Sequence, residues 1–398
     1  MTEQPNEYIL VINCGSSSLK FSLYPTYSSL PEWSGSVSPV GTSKGRLIIK
    51  TAQNEILESH TATFKSLDSA VAAFIKWLKS NGRSYPLAAI GHRLVQGGAE
   101  HRQPEVITGE LIQDLNEFIY LAPNHLPDEL KAIKAFQSAF PDTTQVACFD
   151  TAFHKDMPSY AQHYPLPDIY RKKGLIKYGF HGLSYQYILQ KLTKENPLVT
   201  QQKIIIAHLG NGASMAAVKN GISVETTMGV SPIGGLVMGT RSGDLDPGVL
   251  LFMLNQDKLT ANQLEDLLSK NSGLKAIAGT GDIQELLKAE PGDPKAAEAL
   301  TVFCYGAKKF IGALAAAMGG LDMLVFTGGI GENSAIIRER ICEGLEFIGI
   351  DLDKAGNLKN EELISNRKSR ATVHVIKTNE ELMMAKLVEQ VLNHKNKS

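Results

Sequence analysis

Twice in this chain, about two hundred residues apart, an apolar strand runs into a tight turn of glycine, serine and asparagine and returns along a second strand. The first copy spans Tyr8 to Leu23 and turns through Asn13-Cys14-Gly15-Ser16-Ser17-Ser18. The second spans Lys203 to Val218 and turns through His208-Leu209-Gly210-Asn211-Gly212-Ala213-Ser214. Aligned on their turns, Ser18 falls against Ser214. A turn without bulk offers backbone N–H groups and short hydroxyls to whatever sits above it, as phosphate oxygens require. The same composition also makes an ordinary hairpin turn. Asn13, Ser16, Ser18, Lys20, His208 and Asn211 add donors and a cation that a mere turn does not need. Their repetition suggests a duplicated domain closing on one nucleotide.

At 398 residues the chain exceeds one ordinary core, so two domains of comparable size are expected. Hydrophobic residues at 43% and charged residues at 20% describe a soluble globular protein. With a formal net charge of −1 and basic residues scattered singly, nothing draws the chain to nucleic acid or to an anionic membrane, which leaves a small-molecule partner. The first seven residues lack a basic stretch and lead straight into a strand, which argues against a signal peptide and for a cytoplasmic location. The longest apolar stretch, 310–326, is interrupted by glycines and Asp322 and reads as a buried helix followed by a strand. Cysteines 14, 148, 304 and 342 are widely spaced, which favours buried thiols over zinc ligands or a redox pair.

Strands are expected at 8–13, 19–24, 46–50, 55–60, 88–92, 145–149, 203–208, 215–218, 323–327 and 373–376, with a polar connection over 25–45. Helices are expected at 66–81, 184–195, 247–255, 260–270, 295–318, 334–346 and 379–394. The strands ending near Arg93 and Asp150 deliver charge to the carboxyl edge of a sheet, where open α/β folds bind ligands. Further polar residues stand among glycines: His181 in Tyr178-Gly-Phe-His-Gly182, Arg241 in Met238-Gly-Thr-Arg-Ser-Gly-Asp-Leu-Asp-Pro247, and the run Gly328-Gly-Ile-Gly-Glu-Asn333, which reads as the opening of a helix. Singly, each has a plain structural explanation, as an ion pair, a core histidine or a helix cap. Jointly, two guanidiniums, an imidazole and a carboxylate are the inventory of phosphoryl transfer, where catalysis is positioning and charge neutralisation. No Gly-x-x-x-x-Gly-Lys-Ser/Thr loop is present, and His92-Arg93-Leu94 lacks the aspartate of a protein-kinase catalytic loop.

These motifs stand in the order and spacing of one family. From its first strand to its last helix the sequence resembles the acetokinases, members of the superfamily of sugar kinases, heat-shock 70 ATPases and actin. The resemblance implies two duplicated ribonuclease-H-like α/β domains in the actin-like ATPase fold, with the active site in the interdomain cleft. The expected domains are 1–150, completed by helix 383–398, and 151–382. It further implies reversible in-line transfer between ATP and acetate, giving ADP and acetyl phosphate, by a homodimer using Mg²⁺ or Mn²⁺. Asn13 and Glu380 would hold the metal together with Asp150, the essential carboxylate. Arg93 and Arg241 would grip the acyl carboxylate and the phosphoryl group, and His181 would stabilise the transition state. Val95, His125, Phe180 and Pro232 would complete the substrate site. Ser16, Ser18 and Lys20 would meet one end of the triphosphate, and His208, Leu209, Gly210, Asn211 and Gly212 the other phosphates. Asp282, Ile283 and Gln284, with Gly329, Ile330, Gly331, Glu332 and Asn333, would line the adenosine. The family usually has His where Gln96 stands, Leu-His-Asn at 124–126, Phe-Thr-Pro-Leu-Glu-Gly at 230–235 and Arg at 284. Asn124 is expected to turn outward or pair with Gln96, leaving Leu126 to supply the lost apolar wall. A propionate or other short-chain carboxylate kinase is the alternative, since it would share every catalytic residue.

Overall fold

The computed structural model describes residues 7–15, 18–81 and 85–395, and divides into two compact units, 1–152 with 379–398, and 153–378.

The first unit is built on an eight-stranded sheet. Its strands are β1 (Tyr8–Gly15), β2 (Ser18–Pro25), β3 (Trp33–Ser38), β4 (Thr42–Thr51), β5 (Ile56–Phe64), β6 (Leu87–Leu94), β7 (Glu105–Val106) and β8 (Thr144–Phe149), in the order β5-β4-β3-β2-β1-β6-β8-β7. Ile9 to Ile12 are buried on both faces of β1, as befits a central strand. On one face Leu10 and Ile12 pack with Phe21, Trp33, the helix Leu67–Asn81 and Phe136 of the helix Leu126–Ala139. On β6, Gly91 lies so close to the C-terminal helix Glu380–Lys395 that a Cβ there would come within 2.7 Å of Val388.

In the second unit, β9 (Lys203–Leu209), β10 (Ala213–Lys219), β11 (Ile222–Thr226), β12 (Met323–Thr327) and β13 (Thr372–Val375) form a sheet in the order β11-β10-β9-β12-β13. Here β9, β10 and β11 pair antiparallel, and β12 and β13 join parallel to β9. The inner part of the first sheet, β3-β2-β1-β6-β8, repeats that order and those directions. The ribonuclease-H-like topology is therefore present twice, with β4, β5 and β7 as additions at the edges of the first copy. The helix Pro294–Met318 is long and apolar enough to cross a membrane by length and composition, but Leu300, Phe303, Ala307, Ile311 and Leu314 form a buried face and the helix packs against β9 and β10.

Several local expectations change. The polar stretch 25–45 contains β3, because Trp33 and Val37 are fully buried and Gly35 sits where any Cβ would overlap Ile48 O and the Phe21 ring. Helices Gly109–Glu117, Leu126–Ala139, Gly273–Ala278 and Ile283–Ala289 were not expected, although Leu126, Leu130, Ile133 and Phe136 form a legible buried stripe. The run Gly328–Asn333 does not open a helix but is one, and the following helix stops at Cys342, before Gly344 at φ 77°. The alignment of Ser18 with Ser214 is not an equivalence of register: Ser18 closes its hairpin opposite Gly15, whereas Ser214 stands one pair inside its own, opposite His208. All four cysteines are free and buried. Burial lifts the Cys148 thiol to about 12 and the Cys304 thiol to about 11.

Candidate active site

Parallel pairing of β1, β6 and β8 carries Asn13, Arg93 and Asp150 to one edge of the first sheet. Glu380 enters at the first residue of the C-terminal helix. The Arg93 guanidinium holds all three. Nε donates to both Asp150 oxygens at 3.0 and 3.2 Å, Nη2 to Oδ2 at 2.6 Å and Nη1 to Asn13 Oδ1 at 3.2 Å, with Glu380 Oε2 at 3.4 Å from Nη1. Burial alone would lower the Arg93 pKa, but Asp150 and Glu380 outweigh it and keep the guanidinium charged. The donor set is two carboxylates and an amide oxygen already gathered around one positive charge. Hard oxygen ligands of this kind suit a divalent cation that takes one or two carboxylates and leaves positions for phosphate and water. Among the described residues, no group of three or more His, Cys, Asp and Glu side chains is placed to hold a metal.

Beneath this cluster lies Glu129, 2% exposed, whose Oε2 accepts from the Val95 N–H at 3.2 Å. Burial pushes its pKa up to about 8, against the opposing pull of the Val95 N–H and Arg93, so the carboxyl is largely protonated near neutrality. Gln96 Oε1 accepts from the Gly97 and Gly98 N–H groups at 3.0 Å each. Asn124 is exposed, as expected, but Leu126 is fully buried among Leu94, Leu115 and Phe149, so it offers no replacement wall. His125 occupies the N-cap position of the helix Leu126–Ala139. Lys20 pairs with Asn13 across the hairpin and is exposed, and Ser18 faces Gly15. Ser16 lies outside the described residues.

In the second unit the β9–β10 turn is the focus. The Gly210 N–H donates to Gly212 O at 3.1 Å, which tightens the turn. A Cβ on Gly212 would lie 3.1 Å from His181 Nε2 and 3.6 Å from Arg241 Nη1, so imidazole and guanidinium converge on one glycine. His181 is left-handed at φ 58°, a conformation that costs a non-glycine residue energy and persists only where its surroundings impose it. Three contacts do so. His154 Nε2 reaches the Phe180 carbonyl at 3.2 Å, His181 Nδ1 meets Ser214 Oγ at 2.8 Å, and the ring stacks on His208 with centroids 4.3 Å apart. His208 Nδ1 is tied to Ser184 Oγ at 2.8 Å, and Ser184 donates to Thr378 Oγ1. Arg241 Nη1 donates to the Pro232 carbonyl at 3.1 Å. Phe180 and Leu209 are buried side chains, so only their backbones can meet a ligand.

Gly210 approaches Gly329 N, and Gly239 sits against Asn211 Oδ1 and Gly281, so the turn, the 328–333 helix and the segment before Asp282 come together. Asp282 caps the helix Ile283–Ala289 through Oδ1 to the Gln284 and Glu285 N–H groups, and Ile283 is buried. Glu332 turns inward: Oε1 accepts from the Gly328 N–H at 2.9 Å and the Thr378 N–H at 3.0 Å. Asn333 Nδ2 donates to Gly329 O, Gly331 O accepts from Arg338, and Ile330 is half-buried.

Sequence reasoning missed the residues that brace this framework. Arg338 is fully buried, and burial lowers its pKa to about 10. Its guanidinium bonds the Gly331, Glu332 and Asn357 carbonyls and the side-chain oxygens of Asn357 and Asn360. No local pattern announces an arginine used this way. Tyr185 does leave a signal, four residues after His181 on the helix Gly182–Glu195.

The acetokinase family pattern matches residues 8–386. The acetate kinase of Carboxydothermus hydrogenoformans is 42% identical over 397 residues, covering 97% of this chain and 99% of that one. The crystal structure of Porphyromonas gingivalis acetate kinase superposes with a TM-score of 0.86 at 38% identity, covering 97% of this chain and all of that one. A propionate kinase from Francisella tularensis superposes with a TM-score of 0.88 at 37% identity, covering 96% and 98%. With the strand-end residues gathered as described and the likeness running nearly end to end, the chain belongs to the acetokinase family.

Proposed function

We propose that this protein transfers the γ-phosphoryl group of ATP to a carboxylate oxygen of acetate, giving ADP and acetyl phosphate, and catalyses the reverse reaction. The observation that carries this reading is the convergence of Arg241 and His181 on Gly212 at the head of a phosphate-type turn. In this reading the bond from the γ-phosphorus to the β–γ bridging oxygen breaks as the acetate oxygen attacks, Arg241 neutralises charge on the equatorial oxygens and His181 donates a hydrogen bond to them. The β9–β10 turn and the segments 282–284 and 329–333 take the nucleotide, and Arg93 takes the acyl carboxylate. Asn13, Asp150 and Glu380 would hold Mg²⁺ or Mn²⁺, which when bound neutralises phosphate charge.

With Mg²⁺, ATP and a series of short acids, trapping acyl phosphate with hydroxylamine is expected to give product from acetate first and from propionate to a lesser degree. ATP consumption no faster with acetate than without it would end the assignment. A native preference for propionate would favour the second reading, which the Francisella likeness supports.

The reading extends to assembly. No residue of the helix Pro247–Asn255 is buried, and Leu251 and Phe252 are each more than half exposed. An apolar helix left open in this way favours a homodimer. Sedimentation is expected to give twice the chain mass of 43.3 kDa, and Leu251→Asp with Phe252→Asp to halve it. A parent protein sedimenting at the single-chain mass would refute the dimer. The same reading places the protein in the cytoplasm, where ATP is available, with neither nucleic acid nor membrane as a partner. The even balance of 40 basic and 41 acidic residues supports this.

A further inference from the structure

Behind His181 runs a chain of three hydrogen-bonding groups. His181 Nδ1 meets Ser214 Oγ at 2.8 Å, and Ser214 Oγ in turn meets the Tyr185 hydroxyl. Ser214 and Tyr185 are both fully buried, the first on β10 and the second on the helix that His181 caps. Ser214 has one proton and two neighbours, so the direction of the chain is decided by acidity. A phenol is a better donor than an alcohol, and an alcohol oxygen the better acceptor of the two. Tyr185 therefore donates to Ser214, and Ser214 is left to donate to Nδ1. An imidazole that accepts at Nδ1 carries its proton on Nε2, the atom facing Gly212 and Arg241.

The tautomer matters wherever the ring is neutral. Arg241 lies across Gly212, and His208 is stacked on the ring. Tyr185 stands behind Ser214, and His154 holds the preceding carbonyl. A neutral imidazole donates a hydrogen bond at Nε2 in only one of its two tautomers.

We propose that Ser214 and Tyr185 are positioning residues, a hydrogen-bond chain that keeps neutral His181 in the Nε2–H form so that it presents a donor to the phosphoryl oxygens. The proposal rests on the reading above that His181 faces the transferring group.

The test uses the full chain labelled with ¹⁵N-histidine, with His181→Gln assigning the resonance. At pH 8 the parent is expected to show a protonated Nε2 and an unprotonated Nδ1 at His181, and Ser214→Ala a mixture of tautomers. In steady-state assays Ser214→Ala is expected to lower kcat about 10-fold to 100-fold with KM for ATP and acetate little changed. That loss should deepen as pH rises, because imidazolium carries the Nε2 proton whether or not Ser214 is present. Tyr185→Phe should fall between parent and Ser214→Ala, and Ser214→Thr, which restores the hydroxyl, should recover most of the loss. A parental tautomer in Ser214→Ala, or a kcat loss that does not vary with pH, would overturn the proposal. Parental turnover in His181→Gln would instead overturn the catalytic role of His181, and the tautomer measurement would still decide whether the chain sets the ring.

Discussion

Replacing Arg241 by Ala is expected to lower turnover by on the order of 10³-fold, the scale on which an arginine acts at a transferring phosphoryl group. The guanidinium is aimed by Pro232, whose carbonyl accepts from Nη1 at 3.1 Å, and it lies beside His181 across Gly212. A planar guanidinium can meet two oxygens at once, where a point charge meets them one at a time. Arg241→Lys should therefore recover little, since an ammonium on a flexible stem lacks the planar fork. Steady-state turnover with saturating ATP and acetate measures both variants. A Lys variant within a few-fold of the parent would mean that Arg241 is peripheral to the reaction.

Asp150→Ala is expected to damage both activity and stability, and Asp150→Asn chiefly activity. Asp150 is buried and takes two edges of the Arg93 guanidinium, so its removal leaves a largely buried cation with only Asn13 and Glu380. Breaking a buried pair by deleting one partner costs about 3–5 kcal/mol, and the cost here should fall toward the lower figure because the Arg93 side chain is 18% exposed. Asparagine keeps an acceptor for the guanidinium but loses the charge a divalent cation needs. Its melting temperature should stay near that of the parent while turnover falls at least 100-fold, the upper range for disturbing a metal site. Melting curves and Mg²⁺ titrations of both variants separate the two effects. An Asn variant with the parental Mg²⁺ dependence would remove Asp150 from the metal's surroundings.

Much of the framework was legible because it is local. Runs of apolar residues of strand length, helical stripes such as Leu67, Val71, Phe74 and Leu78, and repeated glycine turns are properties of neighbouring positions. β3 was missed because serine and glycine dominate it, and its strand character comes from Trp33 and Val37 being buried by residues distant in sequence. The short helix Gly328–Asn333 was misread because glycine disfavours helix. Tertiary partners hold it, with Arg338 on the Gly331 and Glu332 carbonyls and the Glu332 carboxylate on the Gly328 and Thr378 N–H groups.

The sequence by itself determined the duplication, the identity of the polar residues at the strand ends and the family, since each depends on residue type and spacing along the chain. Only the tertiary structure decided how those residues are engaged. Arg93 is held by Asn13, Asp150 and Glu380, which lie 80, 57 and 287 positions away from it. His181 is oriented by Ser214, and Glu332 faces backbone. Such pairings arise when parallel strands bring their ends to one edge and helices close over them. The physical reason is that a hydrogen bond depends on distance and direction in space, and pairing across a sheet sets both without leaving a trace in local sequence.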